Sequence, residues 1–479
     1  MTNKLGYLPK EERKKVLLLC DDIRMHSGIA TMAREFVVGS AHHFNWFQLA
    51  AAVKHSDTDK VLDISEDINK QIGIEDSSVK LKPNDGYGDA KTVREIIKHE
   101  KPDAIFIFTD PRHWTWLFEI EREIRSQIPI VWLNIWDDYP APMYNKQYYN
   151  SVDALLAISK QTKVINELVL QEDYKDKISA YVPHGINTDQ FKPLDKDSEE
   201  FKNFQKEVLM GEDYDYVVFF NSRNIHRKRP GDVILSYRMF CDKIGKEKAS
   251  KCVLILHTSV ADQHGTDLRA VKEALCDPSY VNVLFSTNKL TPAQMNGLYN
   301  LADVTMLISS NEGWGLSLTE SLVTGTMIIP AVTGGMQDQC RFEDENGEWL
   351  DLTPEFPSNH RGTYKKCGEW AVPVFPSNIA LAGSVPTPYI FDDRVSSEDV
   401  ADALLKVYEM PREERIARGE KGRKWATSEE AGFTGEHMSN AIIKYVDKTI
   451  DTFTPRPSYD FMMIDERPSK YVEHKITGY

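Results

Sequence analysis

The chain has 479 residues, more than a single core usually organises, so two or three domains are expected. Hydrophobic residues make up 41% and charged residues 27%, an ordinary globular balance. With 73 acidic against 58 basic side chains the net charge is −15, which argues against broad adhesion to nucleic acid or anionic membranes but leaves room for a local basic patch.

The N-terminal charges "EERKK" precede only "VLLLC" before Asp21 and Asp22, too short a run for a signal peptide and better read as a first buried strand. No apolar run approaches a membrane span, so no integral membrane segment is expected. The six cysteines (20, 241, 252, 276, 340, 367) form no Cys-x-x-Cys pair, and reduced thiols in a cytoplasm are expected. After the first strand, "DDIRMHSG" reads as a loop and "IATMAREFVVGS" as a helix with Ile29, Met32, Ala33, Phe36 and Val37 on one side. "FNWFQLAA", "DAIFIF", "PIVWLNIW", "DALLAIS" and "ISAYVP" follow as strands, with helical stretches such as "KTVREIIKHE" between several of them. Strand alternating with helix implies a parallel sheet covered on both faces.

The pattern restarts after the charged "TDQFKPLDKDSEEF". "DYVVFFNSR" is a predicted strand and "PGDVILSYRMFCDKI" a helix opened by Pro230. "KCVLILHTS", "VNVLFS", "DVTMLIS" and "TMIIPAV" supply further strands between helical segments. The fold class is therefore α/β, with two Rossmann-like doubly wound domains facing across a cleft. The expected domains are residues 1–190 and 213–430, joined by a linker at 191–212. Residues 341–395, rich in Pro, Gly, Trp and Asn, read as an elaborated loop of the second domain; 431–450 read as a last helix and 451–479 as a surface arm. Ligands of such sheets bind at the carboxyl ends of strands, so the natural site is the cleft between the halves.

Three strand-end stretches carry chemistry. In "SSNEGWGLSLTES", Glu312 and Glu320 flank a glycine turn and the start of a helix ended by Gly325. Free N–H groups at that helix start, with Gly313 and Gly315 permitting close approach, suit a phosphate or sugar-phosphate, and each carboxylate suits a diol. A turn acid and a helix-surface acid are the bland alternative. In "NSRNIHRKRPGD", Arg223 and Lys228 follow a strand, with Arg227 and Arg229 nearby, which suggests a diphosphate; a nucleic-acid patch and a solvated charge run remain open. In "DDIRMHSG", Gly28 at the first strand-to-helix turn permits close approach of a phosphate or acceptor, and His26 is a candidate contact, although no G-x-G-x-x-G is present.

Together these stretches resemble the retaining GT-B glycosyltransferases, especially family 4 (glycosyl transferases group 1). Glu312-Gly313-Trp314-Gly315-Leu316 through Glu320 matches that group's E-x7-E motif, "YVPHGINTDQFKP" is similar to its interdomain segment with His184 where Asn is common, "SRNIHRK" resembles its Arg…Lys pair on the donor diphosphate, and "AVTGGMQD" resembles its loop after the next strand. The resemblance implies that Arg223 and Lys228 neutralise a departing nucleoside diphosphate and that Glu312 holds hydroxyls of the transferred sugar. It further implies that Glu320 holds the ribose, that the stretch Gly313, Trp314, Gly315 and Leu316 binds the donor, and that the final helix crosses back to the first domain. It also implies a nucleotide-sugar donor as substrate, expected to be UDP-linked, with retention at the anomeric carbon and no required cofactor or metal; "DYD" at 213–215 precedes a strand and reads as solvated. One departure is "NIWDDYP", where Trp136 replaces a usual histidine and Asp137 keeps the acid, so Asp137, like His26 and His184, is a candidate sugar or acceptor contact. The hydroxyl acceptor is undetermined among saccharide, lipid, protein, small molecule and modified DNA base, the last not favoured by the acidic balance. Two other classes compete: a non-catalytic nucleotide-sugar-binding protein of the same fold, and a dehydrogenase, which the missing glycine fingerprint disfavours.

Overall fold

The computed structural model describes residues 6–457 apart from 53, 55 and 59, so most of the expected C-terminal arm, from residue 458 on, lies outside the described residues. The run "VLLLC" forms the centre of β1 (Lys14–Asp21) and is fully buried, as a strand covered on both faces must be. It sits inside a sheet of β2 (Phe44–Ala51), β3 (Leu62–Asp63), β4 (Val79–Pro83), β5 (Ala104–Ile107), β6 (Ile130–Asn134), β7 (Ala154–Ala157) and β8 (Ile178–Tyr181). The order is β3-β4-β2-β1-β5-β6-β7-β8, and every pairing is parallel except that of β3 with β4. The second sheet has β9 (Tyr216–Asn221), β10 (Cys252–His257), β11 (Asn282–Ser286), β12 (Val304–Leu307) and β13 (Met327–Pro330) in the order β11-β10-β9-β12-β13, all parallel.

Both orders reverse at the first strand of their sheet. Chain-adjacent strands run one way from β1 and from β9, and the remainder run the other way. At such a switch point the loops leaving two neighbouring strands part and open a crevice. In the second lobe those are the loops after β9 and β12, the two stretches that hold Lys228 and Glu312.

Six helices matter for placing the site: α1 (Gly28–Ser40), α2 (Glu199–Val208), α3 (Pro230–Ile244), α4 (Pro292–Leu301), α5 (Leu316–Val323) and α6 (Gly435–Thr452). Residues 191–212, expected as a linker, are tied to the second lobe. Lys192 N and Leu194 N donate to the Asn296 and Asn300 side chains at 3.0 and 2.8 Å, and Phe204 of α2 lies over Gly297 of α4. Residues 341–395 hold more regular structure than a loop, because β14 (Asn378–Ser384) and β15 (Thr387–Arg394) form an antiparallel hairpin. The sequence hid it because most of the hairpin is open to solvent and its polar–apolar alternation is weak.

The chain passes between lobes twice, near 185 and near 434, and the crossings touch. Ile186 N donates to Phe433 O and Gly435 N to Ile186 O, both at 2.9 Å. α6 then lies against α1 of the first lobe, with Ser439 filling the space above Gly39. A Cβ on Gly185 would run into the Thr434 carbonyl and the Gly435 nitrogen, backbone atoms that cannot turn aside. Gly185→Ala is therefore expected to destabilise the protein by about 1–3 kcal/mol through overpacking, read as a lower Tm in calorimetry; an unchanged Tm would show that the crossings yield freely.

Candidate functional site

The loop after β9 folds into a single tight turn, His226–Lys228, before α3, and this turns Lys228 inward. Its ammonium pairs with the Glu312 carboxylate from the loop after β12, and both side chains are only 11% exposed. Arg227 Nη1 stands 3.6 Å from the same carboxylate and donates to Asn311 O at 2.7 Å. Burial, and then the neighbouring Arg227, hold the Lys228 ammonium well below its ordinary pKa, with Asp137 opposing. A lysine held in that state is primed to gain from an anion.

Gly315 enters α5 with φ +88°, a conformation that side chains resist, and a Cβ on Gly313 would lie 3.1 Å from Ile135 O of the first lobe. The glycines thus let the Glu312 loop approach its partner lobe. Gly335 N donates to Glu312 O at 3.0 Å, so the loop after β13 fastens the same turn. Across the cleft, Ser27 caps α1 by accepting from Ala30 N, and a Cβ on Gly28 would sit 3.5 Å from Leu316 Cδ1. The starts of α1 and α5 therefore meet, two sets of free N–H groups converging on one crevice.

Glu320 lies one turn into α5, and Tyr299 Oη donates to its carboxylate while accepting from Asn221 Nδ2 at 2.8 Å. Burial pushes Glu320 up to about 7, against the pull of Tyr299. From the first lobe, Asp137 and Asp138 follow β6. Asn311 Nδ2 donates to the Asp138 carboxylate, and Gln161 Nε2 donates to Asp137 O at 2.5 Å. Burial raises both carboxyls, Asp138 well above the aspartate range because Asp137 adds to it, whereas Arg227 and Lys228 restrain the rise at Asp137.

Lys228, Glu312, Gly28, Gly313, Gly315, Leu316 and Asp137 are thus gathered where the two lobes meet. Arg223 leaves the same strand end, but its side chain is 63% exposed and bonds to Asp262 at 3.2 Å rather than to the Lys228–Glu312 pair. His26 is exposed in the loop before α1. Two of the candidate residues turn into the seam between the lobes. Trp314 is buried with its ring 4.9 Å from Phe433, and its indole donates to Thr319 Oγ1. His184 is buried between the Phe108 and Trp314 rings, where burial lowers it to about 3, and it serves the seam between the lobes. Sequence reasoning missed Tyr299, Asn311 and Asp138; of these only Asp138 had a local signal, the doubled acid after a strand. Among the described residues no group of three or more His, Cys, Asp or Glu side chains is arranged to hold a metal ion.

Two outcomes follow from the geometry. Lys228→Met leaves Glu312 buried without its ammonium partner and is expected to cost about 3–5 kcal/mol; adding Glu312→Gln should recover most of the lost Tm, and no recovery would show that the pair is not the cause. Glu320 has a folded pKa above its unfolded value, so its ionisation opposes folding, by nothing below about pH 4.5 and increasingly up to about 7. Glu320→Gln should therefore match wild-type Tm near pH 4 and exceed it at pH 8, and a constant difference across that window would contradict the assignment.

Comparison with known proteins adds the fold's relatives. No family model matches the chain, and no curated protein matches it in sequence. Among solved structures, HepE from Anabaena in complex with UDP and glucose superposes with a TM-score of 0.62 at 12% identity, covering 91% of this chain and 100% of that one. Sucrose-phosphate synthase from Thermosynechococcus elongatus gives 0.61 at 14% identity, covering 92% and 100%. A trehalose-6-phosphate protein from E. coli bound with UDP-2-fluoro glucose gives 0.59 at 12% identity, again covering 92% and 100%. With its two parallel sheets face to face across the Lys228–Glu312 crevice, the chain has the GT-B fold.

Proposed function

We propose that the protein is a glycosyltransferase that moves a sugar from a nucleotide diphosphate sugar, UDP-linked, to a hydroxyl acceptor, with retention at the anomeric carbon and without a metal. The observation that carries this is the buried Lys228–Glu312 pair at the switch point of the second lobe, where the starts of α1 and α5 also converge. A cation and acid so placed suit a diphosphate and the hydroxyls of the sugar attached to it. The similar structures with UDP and glucose, or with UDP-2-fluoro glucose, support the donor class.

In this reading the incoming diphosphate takes the Lys228 ammonium and frees Glu312 to accept sugar hydroxyls. The helix starts at Gly28 and Leu316 turn N–H groups toward the phosphates, and Glu320, steadied by Tyr299, accepts the ribose hydroxyls. Arg223 swings from Asp262 to the diphosphate at the mouth of the cleft. The bond from the anomeric carbon to the phosphate oxygen breaks as the bond to the acceptor oxygen forms on the same face. The acceptor's proton passes to the leaving phosphate oxygen. The protein's part is to hold fixed positive charge where negative charge develops, the means by which many enzymes obtain most of their rate acceleration. Asp137, on the other lobe, faces the sugar or the acceptor. The six free thiols suit a reducing compartment, and a cytoplasmic setting is part of the proposal.

Nucleotide release from a panel of nucleotide sugars, with and without EDTA, tests this. At least one UDP-sugar should be turned over at a rate EDTA leaves unchanged, and Lys228→Met should lower kcat/KM by about 100-fold or more. The product's anomeric configuration by NMR should match the donor's. Tight binding without turnover would favour a non-catalytic nucleotide-sugar-binding protein, and no binding to any donor would remove the proposal.

A further inference from the structure

The hairpin β14–β15 joins neither lobe's sheet, yet its second strand is laid into the cleft. Phe391 N donates to Tyr139 O and Asn311 Nδ2 donates to Phe391 O, both at 2.6 Å. Tyr144 Oη donates to Tyr389 O, and Asp393 N donates to Ser310 O, both at 3.1 Å. Residues 389–393 therefore grip the first lobe and the strand-end stretch just before Glu312 at the same time. Successive side chains of a strand point opposite ways. Asp392 turns toward Arg229, 3.5 Å away, and Asp393 turns toward Thr333, whose hydroxyl donates to its Oδ2 at 2.6 Å.

The other oxygen of Asp393, Oδ1, is buried and has no hydrogen-bond partner among the described residues. A buried acceptor left unpaired costs stability, so an oxygen kept in that state calls for a ligand or another explanation. Its surroundings point to the sugar end of the site. Thr333 is followed by Gly334, which packs on the backbone of Glu312, and Gly335, which packs on that of Gly313 and Trp314; a Cβ on Gly334 would lie 3.5 Å from Asp137 Cβ. Burial pushes the Asp393 carboxyl up to about 6, against the pull of Thr333 and Arg361, with Asp392 and Asp137 adding to the rise. Asp393 thus stands between Ser310, two residues before Glu312, and Thr333, next to the glycine that meets Glu312 and Asp137, held there by an element that is not part of either sheet.

We propose that Asp393 is a specificity-determining residue for the transferred sugar: its Oδ2 is fixed by Thr333, and its free Oδ1 accepts a hydrogen bond from one hydroxyl of the donor sugar. This rests on the proposed glycosyl transfer and adds the residue that selects the sugar. A site built to bond a hydroxyl rejects the analogue that lacks it, because its own polar group is then stranded. The hairpin would accordingly act as a sugar selector delivered from the 341–395 elaboration, with the nucleotide held independently by the lobe itself.

The test compares full-length wild type with Asp393→Asn, using the UDP-sugar found active in the donor panel and its singly deoxygenated analogues. The substitution is isosteric and keeps an oxygen for Thr333. It should lower kcat/KM for the complete donor by about 10- to 100-fold, while one deoxy donor is turned over equally by both proteins; UDP affinity and Tm should change little. Should that variant not fold, Thr333→Val, which frees the carboxylate to rotate, should give the same selective pattern at smaller size. Equal losses for every donor, or no loss for any, would overturn the role of Asp393 while leaving glycosyl transfer standing. Absence of turnover by wild type with all donors would remove both.

Discussion

The pairing of Lys228 with Glu312 is the interaction that sets the remaining geometry of the site. Two loops that leave neighbouring strands in opposite directions would otherwise splay, and the ion pair closes them over the crevice they create. Around it the neighbouring groups bear on both partners in a place that disfavours charge. Arg227 braces Glu312 and Asn311, Asp137 offsets part of the burial that lowers Lys228, and Gly335 fastens the Glu312 carbonyl. Buried pairs of this kind contribute little net stability, since desolvation cancels most of the attraction. What they supply is position: a cation and a carboxylate fixed at a strand end, each able to exchange its partner for part of a ligand.

A second constraint is that the lobes meet. Gly185 against Thr434 and Gly313 against Ile135 are two points where the absence of a side chain lets backbone of the two sides approach. Polar contacts reinforce the seam, with Lys160 N donating to Asp338 at 2.9 Å and Gln337 Nε2 donating to Gln161 at 2.8 Å. The hairpin adds bonds to both sides. A cleft made by two lobes is a site only while they hold register, and here the register is set by close backbone contact, short side-chain bridges and the packing of Phe108, His184, Trp314 and Phe433 across the seam.

Much of this is legible in the sequence because the decisive signals are local. Apolar runs such as "VLLLC" and "YVVFF", alternating with amphipathic helices, give doubly wound sheets, and Lys228 and Glu312 stand out as charged groups just past strand ends. The direction of a side chain is not local. Trp314 belongs to a cleft-lining stretch but turns into the seam, and His184 does the same, because packing between the lobes decides both. Tyr299 steadies Glu320 from 21 residues away on another helix, a pairing that exists only once α4 and α5 are assembled. Spacing alone groups Arg223 with Lys228, and the structure separates them: one is buried at the turn, the other bonds to Asp262 near solvent. The hairpin escapes a sequence reading because a short exposed strand pair has little hydrophobic pattern, so its contribution to the cleft is visible only in three dimensions.

The sharpest check on the Lys228–Glu312 crevice as a diphosphate site is a crystal structure of the protein with UDP bound. The diphosphate should lie between the loops after β9 and β12, with Lys228 Nζ turned from Glu312 to a phosphate oxygen at about 3 Å and the Glu312 carboxylate left facing the place of the sugar. UDP seated on another surface, or in the cleft with the Lys228–Glu312 pair undisturbed and out of reach of the phosphates, would contradict it.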